Sequence, residues 1–265
     1  MGEELRSALI AFAKRPRVLV AVDFDGTLAD LVTDPLKAHA VPGGLEALRD
    51  AAALAGVTTA VVSGRDLDTL EMLTGIGPDD DISLIGSHGA ETNSEDEAGL
   101  ALGVGTAIHD DAAAALLETV GDELEAVRFR YPAVRLEYKP AAVVLHTRDV
   151  EPSVAESATK AANAAGDRHE GVHATPGKQV VELSVSPADK GSALAELARA
   201  SRSEATLYVG DDATDERAFA ALDPSSGDLT VKVGTGGTVA LHRVSDPGAV
   251  VTLLELFVDM RRLHR

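Results

Sequence analysis

Arg17-Val18-Leu19-Val20-Ala21-Val22-Asp23 runs directly into Phe24-Asp25-Gly26-Thr27, and this stretch decides the fold. The first seven residues are a short β-branched run bounded by Pro16 and Gly26, the pattern of a strand buried on both faces. Outward from it, Pro42-Gly43-Gly44 opens a helical stretch, LEALRDAAALA, closed by Gly56. VTTAVVS at 57–63 and ISLIG at 82–86 read as further buried strands. Between them DLDTLEMLTG starts on aspartate and ends on glycine, as helices prefer. Strands alternating with helices imply a parallel sheet with helices on both faces.

The rhythm changes at 93–106, NSEDEAGLALGVGT, which reads as a surface hairpin or a linker. A helix is expected over about 107–127, then β-like runs VRLEYK and AAVVLHT around Pro140, a helix over 152–165, and a last run, KQVVELSV, ending at Pro187. The earlier rhythm then returns with DKGSALAELARA, TLYVGDD, TDERAFAAL, LTVKVG and a closing helix in DPGAVVTLLELFVDMRRL. The expectation is a Rossmann-like parallel-sheet α/β core formed by 1–106 and 186–265, interrupted by a smaller inserted α/β domain at 107–185.

In an open parallel sheet, ligands sit beyond the carboxyl ends of the strands. Three polar clusters fall at such ends: Asp23-Phe24-Asp25-Gly26-Thr27, Ser63-Gly64-Arg65, and Gly210-Asp211-Asp212 with Asp215. Lys190 opens the helix leading into the third. Each has an ordinary explanation alone. D-x-D-G-T suits a turn, Ser63 suits a helix N-cap, Lys190 a solvated surface, and Asp215 a cap for a helix starting near Thr214. Ser63-Gly64 at a helix start would also expose N–H groups that favour an anion. Carboxylates gathered together repel and are costly to bury. A hard divalent cation resolves that conflict, and magnesium binds carboxylate oxygens together with water and phosphate.

Composition narrows the partners. The 265 residues carry a formal charge of −19, which disfavours nucleic acid and anionic membrane surfaces. There is no cysteine, so disulfides, thiol catalysis and thiolate–zinc sites are excluded. The amphipathic start, MGEELRSALIAFAKRPR, lacks the layout of a signal peptide, and no stretch approaches the roughly 20 apolar residues of a membrane span. A cytoplasmic, monomeric protein acting on a small molecule is expected.

The ordered set DFDGTLA, VVSGR, ADKG and YVGDDATDE resembles the four motifs of the haloacid dehalogenase-like phosphatases. The resemblance implies that Asp23 attacks phosphorus to form an aspartyl-phosphate. Asp25 then protonates the leaving alcohol and later activates water. Ser63 and Lys190 hold phosphoryl oxygens, with Gly26, Thr27 and Gly64 beside them. Asp23, the Asp25 main-chain carbonyl and Asp211 bind Mg2+, supported by Asp212 and Asp215. The chemistry is coherent, because phosphoryl transfer is mostly positioning and charge neutralisation, and a carboxylate nucleophile divides hydrolysis into two easier steps.

A second series is similar to the trehalose-6-phosphate phosphatases: Gly86-Ser87-His88-Gly89-Ala90-Glu91, then Glu137-Tyr138-Lys139, His146-Thr147-Arg148 and Gly177-Lys178-Gln179-Val180-Val181-Glu182. Each alone reads as a solvated strand face. The likeness implies that Glu137, Lys139 and Glu182 bond sugar hydroxyls, with His88 and Arg65 also near the substrate. Leu183-Ser184-Val185-Ser186-Pro187 departs from the basic residue and proline usual there, so the hinge from cap to core is expected to differ. Alternatives are a phosphatase for another sugar phosphate (a glucosylglycerol or hexose phosphate), a phosphomutase, a receiver-type signalling module, or an inactive binding protein of the same fold. The first-strand position of D-x-D-G-T and the inserted domain argue against the receiver module, and the complete set of acids argues against an inactive protein.

Overall fold

The computed structural model describes residues 2–77, 79–94, 111–177 and 179–264. The hairpin or linker expected over 93–106, the helical start at 107–110, and Lys178 fall wholly or mostly outside these residues. The chain divides into two units, Met1–Val104 with Asp189–Arg265, and Gly105–Ala188.

The first unit contains α1 (Glu3–Ala13), β1 (Val18–Asp23), α2 (Gly44–Ala52), β2 (Val57–Val62), α3 (Leu67–Thr74), β3 (Ile82–Gly86) and β4 (Glu91–Thr92). The second unit holds α4 (Asp111–Arg130), β5 (Arg135–Lys139), β6 (Ala142–His146), α5 (Pro152–Gly166), β7 (His173–Gly177) and β8 (Val180–Ser184). The chain returns to the first unit with α6 (Lys190–Ala200), β9 (Ala205–Gly210), α7 (Ala213–Ala221), β10 (Leu229–Val233), β11 (His242–Val244) and α8 (Pro247–Leu263).

The first unit is a seven-stranded sheet in the order β11-β10-β9-β1-β2-β3-β4. Every pairing is parallel except β3 with β4. Residues of β1 alternate between two apolar clusters, because successive side chains leave a strand on opposite faces. Val18, Val20 and Val22 pack with Leu9, Leu48 and Phe257 of α1, α2 and α8. Leu19 and Ala21 pack with Leu194, Leu197 and Phe219 of α6 and α7. By the same period Asp23 falls on the α6/α7 face, at the carboxyl end of the sheet.

The second unit is an antiparallel sheet ordered β5-β6-β8-β7, with α4 and α5 on one face. Val143, Leu145, Val181 and Leu183 meet Val120, Leu124, Ala158 and Ala162 of those helices. The register places Glu137 opposite Val144 and Val144 opposite Glu182, so both glutamates lie on the other face, together with Lys139 and His146.

Three strands lack a periodic signal. β4 and β11 are very short, and β7, His-Ala-Thr-Pro-Gly, is an edge strand that tolerates Pro176 because its outer side needs no ladder bond. The helix read in DLDTLEMLTG runs from Leu67 to Thr74, with the aspartate and glycine that bound it as its caps, and Ser63 lies outside it. Asp66 caps it, its carboxylate accepting from the Thr69 N–H at 2.8 Å, and Gly75 closes it in the left-handed region.

Candidate active site

Asp23 ends the central strand and is almost wholly buried. It is not left alone. Lys190, the first residue of α6, donates to Asp23 Oδ1 at 2.7 Å and to Asp215 Oδ1 at 2.8 Å. The Asp189–Ser192 capping box fixes the start of α6 and so the position from which Lys190 reaches in. Burial opposes the charge of Lys190, but Asp23, Tyr208, Asp215 and Asp212 outweigh it and hold the ammonium well above its ordinary pKa.

Asp215 is a hub. Oδ1 accepts from Lys190 and, at 2.6 Å, from the Tyr208 hydroxyl. Oδ2 accepts the N–H groups of Asp211 and Asp212 at 2.8 and 2.9 Å. Four donors occupy this carboxylate, which identifies it as scaffolding for the Gly210-Asp211-Asp212 turn. The cap of α7 is Asp212, whose carboxylate accepts from the N–H groups of Thr214 and Asp215. Gly210 is required by close approach: a Cβ there would lie 2.3 Å from the Asp215 carboxyl carbon.

One oxygen from each of Asp23, Asp211 and Asp215 lies within 4.8 Å of the others. Burial pushes Asp23 well above the carboxylate range, with Asp215, Asp212 and Asp211 adding to the shift that Lys190 opposes. Burial and the same acidic neighbours raise Asp211 to about 7. Burial also disfavours ionised Asp212, but Lys190 and bonds from Thr214 and Asp215 prevail and lower it to about 2. One ammonium thus faces an excess of carboxylates. Gly26, at φ 79°, leaves the Asp211 carboxylate room that a Cβ would fill, with Oδ2 only 2.2 Å away. Hard oxygen donors, surplus negative charge and this cradle fit Mg2+. Asp23, Asp211 and Asp215 form the cluster that could hold such an ion.

Asp25 sits apart from this cluster. Its carboxylate takes a two-pronged grip from Arg65, both N–O distances being 2.6 Å. The guanidinium also lies 5.7 Å from the centre of the Phe24 ring. Of the metal ligands expected from sequence, Asp25 therefore contributes no carboxylate to the cluster and has only its main-chain carbonyl to offer, while Asp215 joins it. Arg65, expected beside the substrate, is here a partner of Asp25.

Ser63 is buried, and its Oγ accepts from the Arg65 N–H at 3.2 Å, closing the loop that Gly64 occupies. Ser87 and His88 both adopt positive φ, at 47° and 56°. This strained corner is tied to that loop by Ser87 N–H to Arg65 O and His88 N–H to Ser63 O. A Cβ on Gly64 would lie 2.4 Å from the His88 ring, so His88 belongs to the Ser63–Arg65 corner. Thr27 is fully buried and its hydroxyl has no hydrogen-bond partner among the described residues.

In the second unit Lys139 donates to Glu182 at 2.7 Å, and both are nearly buried; His146 and Glu137 are 2.8 Å apart. The structure thus pairs two of the three residues expected to bind sugar and supplies the third with a histidine. Sequence reasoning missed Tyr208 and Lys232. Lys232 did leave a signal, as the lone charged residue in the short buried strand LTVKV.

The trehalose-phosphatase family model matches residues 21–244. The trehalose-phosphate phosphatase of Mycobacterium bovis is 34% identical over 250 residues, covering 90% of this chain and 60% of the relative. That of Mycolicibacterium paratuberculosis is 36% identical over 258 residues, covering 91% and 62%. The chain thus spans less than two thirds of the length of these curated relatives. Among solved structures, the C. albicans trehalose-6-phosphate phosphatase C-terminal domain superposes with a TM-score of 0.77 at 22% identity, covering 96% of this chain and 97% of that one. That likeness establishes the haloacid dehalogenase-like fold. The family match runs from the first strand through the inserted unit to the last strands of the sheet, and by it the chain belongs to the trehalose-phosphatase family.

Proposed function

We propose that the protein hydrolyses trehalose 6-phosphate to trehalose and phosphate, with Asp23 as covalent nucleophile. The observation that carries this reading is the buried meeting of Asp23, Lys190, Asp211 and Asp215 at the carboxyl end of the parallel sheet. Bound there by Asp23, Asp211 and the Asp25 carbonyl, Mg2+ would neutralise phosphoryl charge. An Asp23 oxygen attacks phosphorus while the bond to the sugar oxygen breaks, and Asp25 gives that oxygen its proton. Asp25 then takes a proton from water, whose oxygen attacks phosphorus and frees Asp23 and phosphate. The Arg65–Asp25 pair opens for both transfers. Lys190, already between Asp23 and Asp215, neutralises phosphoryl oxygens, with Ser63, Gly26, Thr27 and Gly64 lining the phosphate side.

In this reading the inserted segment, 107–185, serves as a cap whose Glu137, Lys139 and Glu182 bond sugar hydroxyls, with His88 near the sugar and Arg65 also binding substrate. Groups that donate and groups that accept suit a disaccharide, whose hydroxyls do both. The family match, the mycobacterial relatives and the polar face of the inserted sheet support the substrate. No helix among the described residues is long and apolar enough to cross a membrane. The reading takes the protein as a cytoplasmic monomer, and its charge of −19 favours a small sugar phosphate over nucleic acid or anionic lipid.

The test is phosphate release over a panel of sugar phosphates, with Mg2+, with Ca2+ and after chelation. Trehalose 6-phosphate should be the preferred substrate and Mg2+ the effective ion, since Ca2+ takes more ligands at longer distances. Full turnover after exhaustive chelation overturns the metal assignment. Preference for a hexose or glucosylglycerol phosphate, or formation of an isomerised sugar phosphate, overturns the substrate or the reaction.

A further inference from the structure

We infer that Lys232 is a positioning residue for the Asp211 carboxylate, and through it sets how tightly the protein binds Mg2+; the inference rests on the metal reading above. Lys232 pairs in register with Gly210 and so lies on the α6/α7 face of the sheet. It is 5% exposed. Its ammonium donates to the main-chain carbonyl of Asp211, lies 3.5 Å from that of Asp212, and is 3.3 Å from Glu216. Glu216 is held in turn by the Thr238 hydroxyl at 3.1 Å and the Val239 N–H at 2.8 Å.

These bonds complete a symmetrical arrangement around one turn. The N–H groups of Asp211 and Asp212 both go to the Asp215 carboxylate, and their carbonyls both face the Lys232 ammonium. An anion holds one side of the turn and a cation the other. With the backbone held, and with Gly26 making room for its carboxylate, Asp211 is directed to one place. Groups that fix a metal ligand from behind typically change metal affinity by roughly 10- to 100-fold when removed.

Electrostatics alone predicts the opposite. A lysine beside a cation site repels the ion, and its removal should tighten binding. The sign of the change therefore separates positioning from simple charge. Calorimetric titration with MgCl2 in the absence of substrate, at a pH of about 9 where protons no longer compete for Asp211, reads it directly. Lys232→Met keeps the apolar stem and removes the donor, so it should bind Mg2+ roughly 10- to 100-fold more weakly than wild type. Lys232→Gln removes the charge but keeps an N–H donor, so it should fall between the two, and it decides the matter where Lys232→Met does not fold.

A merely structural role would lower the melting temperature of the metal-free protein and leave Mg2+ affinity unchanged. Affinity that is unchanged or tighter in both variants, with wild type binding Mg2+ normally, overturns the inference and leaves the phosphatase reading standing. Absence of Mg2+ binding by wild type overturns the metal reading and this inference with it.

Discussion

Two lysines, each nearly buried and each 2.7 Å from a carboxylate, stand in contrasting surroundings. Lys139 on the inserted sheet meets Glu182, and His146 beside it meets Glu137, so acids and bases there are matched. Lys190 in the core meets Asp23 and Asp215 directly, with Asp211 and Asp212 close behind. The matched face offers donors and acceptors to a neutral polyol without needing an ion. The mismatched cluster gathers more carboxylates than ammonium groups in low dielectric, a surplus that bound protons or a cation relieve, and in the proposed reading that cation also draws a phosphate to an acidic protein.

The comparison breaks most completely at Asp23. Asp23→Asn should reduce turnover of every phosphate ester to background while the fold persists, because the amide is nearly isosteric and cannot form the covalent intermediate. Phosphate release close to wild type would remove Asp23 from the role.

Asp215→Ala should cost stability as well as activity. It takes one of two carboxylate partners from Lys190 and strands the Tyr208 hydroxyl and the N–H groups of Asp211 and Asp212. Breaking one side of a buried pair typically costs about 3–5 kcal/mol. A denaturation midpoint equal to wild type would show that the hub is dispensable.

On the matched face, Glu182→Gln is sharper than Glu182→Ala, which also empties the space beside Lys139. With Gln, kcat/KM for trehalose 6-phosphate should fall by roughly 10- to 100-fold, the worth of hydrogen bonds to a charged group. Hydrolysis of a small aryl phosphate should barely change, because there is no sugar to grip. Equal losses on both substrates would make Glu182 a folding residue of the inserted unit. No loss on either would make it an ordinary strand residue.

The smallest effect is in pH. In the metal-free protein Asp211 titrates at about 7, against about 3.9 in an unfolded chain. The folded state therefore holds this proton more tightly, and its contribution to stability falls as pH rises from about 4 to about 7. Mg2+ needs the ionised carboxylate, so its affinity should rise over the same window. The rise in melting temperature on adding Mg2+ should be larger at pH 8 than at pH 5.5. A pH-independent gain would place the ion away from Asp211.

Much of this architecture was legible before any coordinates. The apolar run ending at Asp23, the glycine after Asp25, and the returns at Ser63, Lys190 and Gly210 are local patterns, since a strand–turn–helix unit writes its own period and caps into adjacent residues. The mostly parallel sheet and the additional antiparallel sheet followed from them. Less visible was β7, whose proline and glycine disguise an edge strand held by its neighbour. Ser63, which alone reads as an N-cap, instead accepts from the Arg65 N–H, while Asp66 caps α3 as its place at the head of DLDTLEMLTG implied.

Contacts across distant segments depended on tertiary structure alone. The Arg65–Asp25 grip spans 40 positions and the Lys232 bond to Asp211 spans 21. Which side of the sheet each residue faces is set by strand register, and a one-residue slip reverses it. Sequence by itself determined which chemical groups the protein owns and at which strand ends they lie. Tertiary structure decided which carboxylates stay open for a cation and which are already occupied, because hydrogen bonds and burial depend on neighbours that chain order does not name.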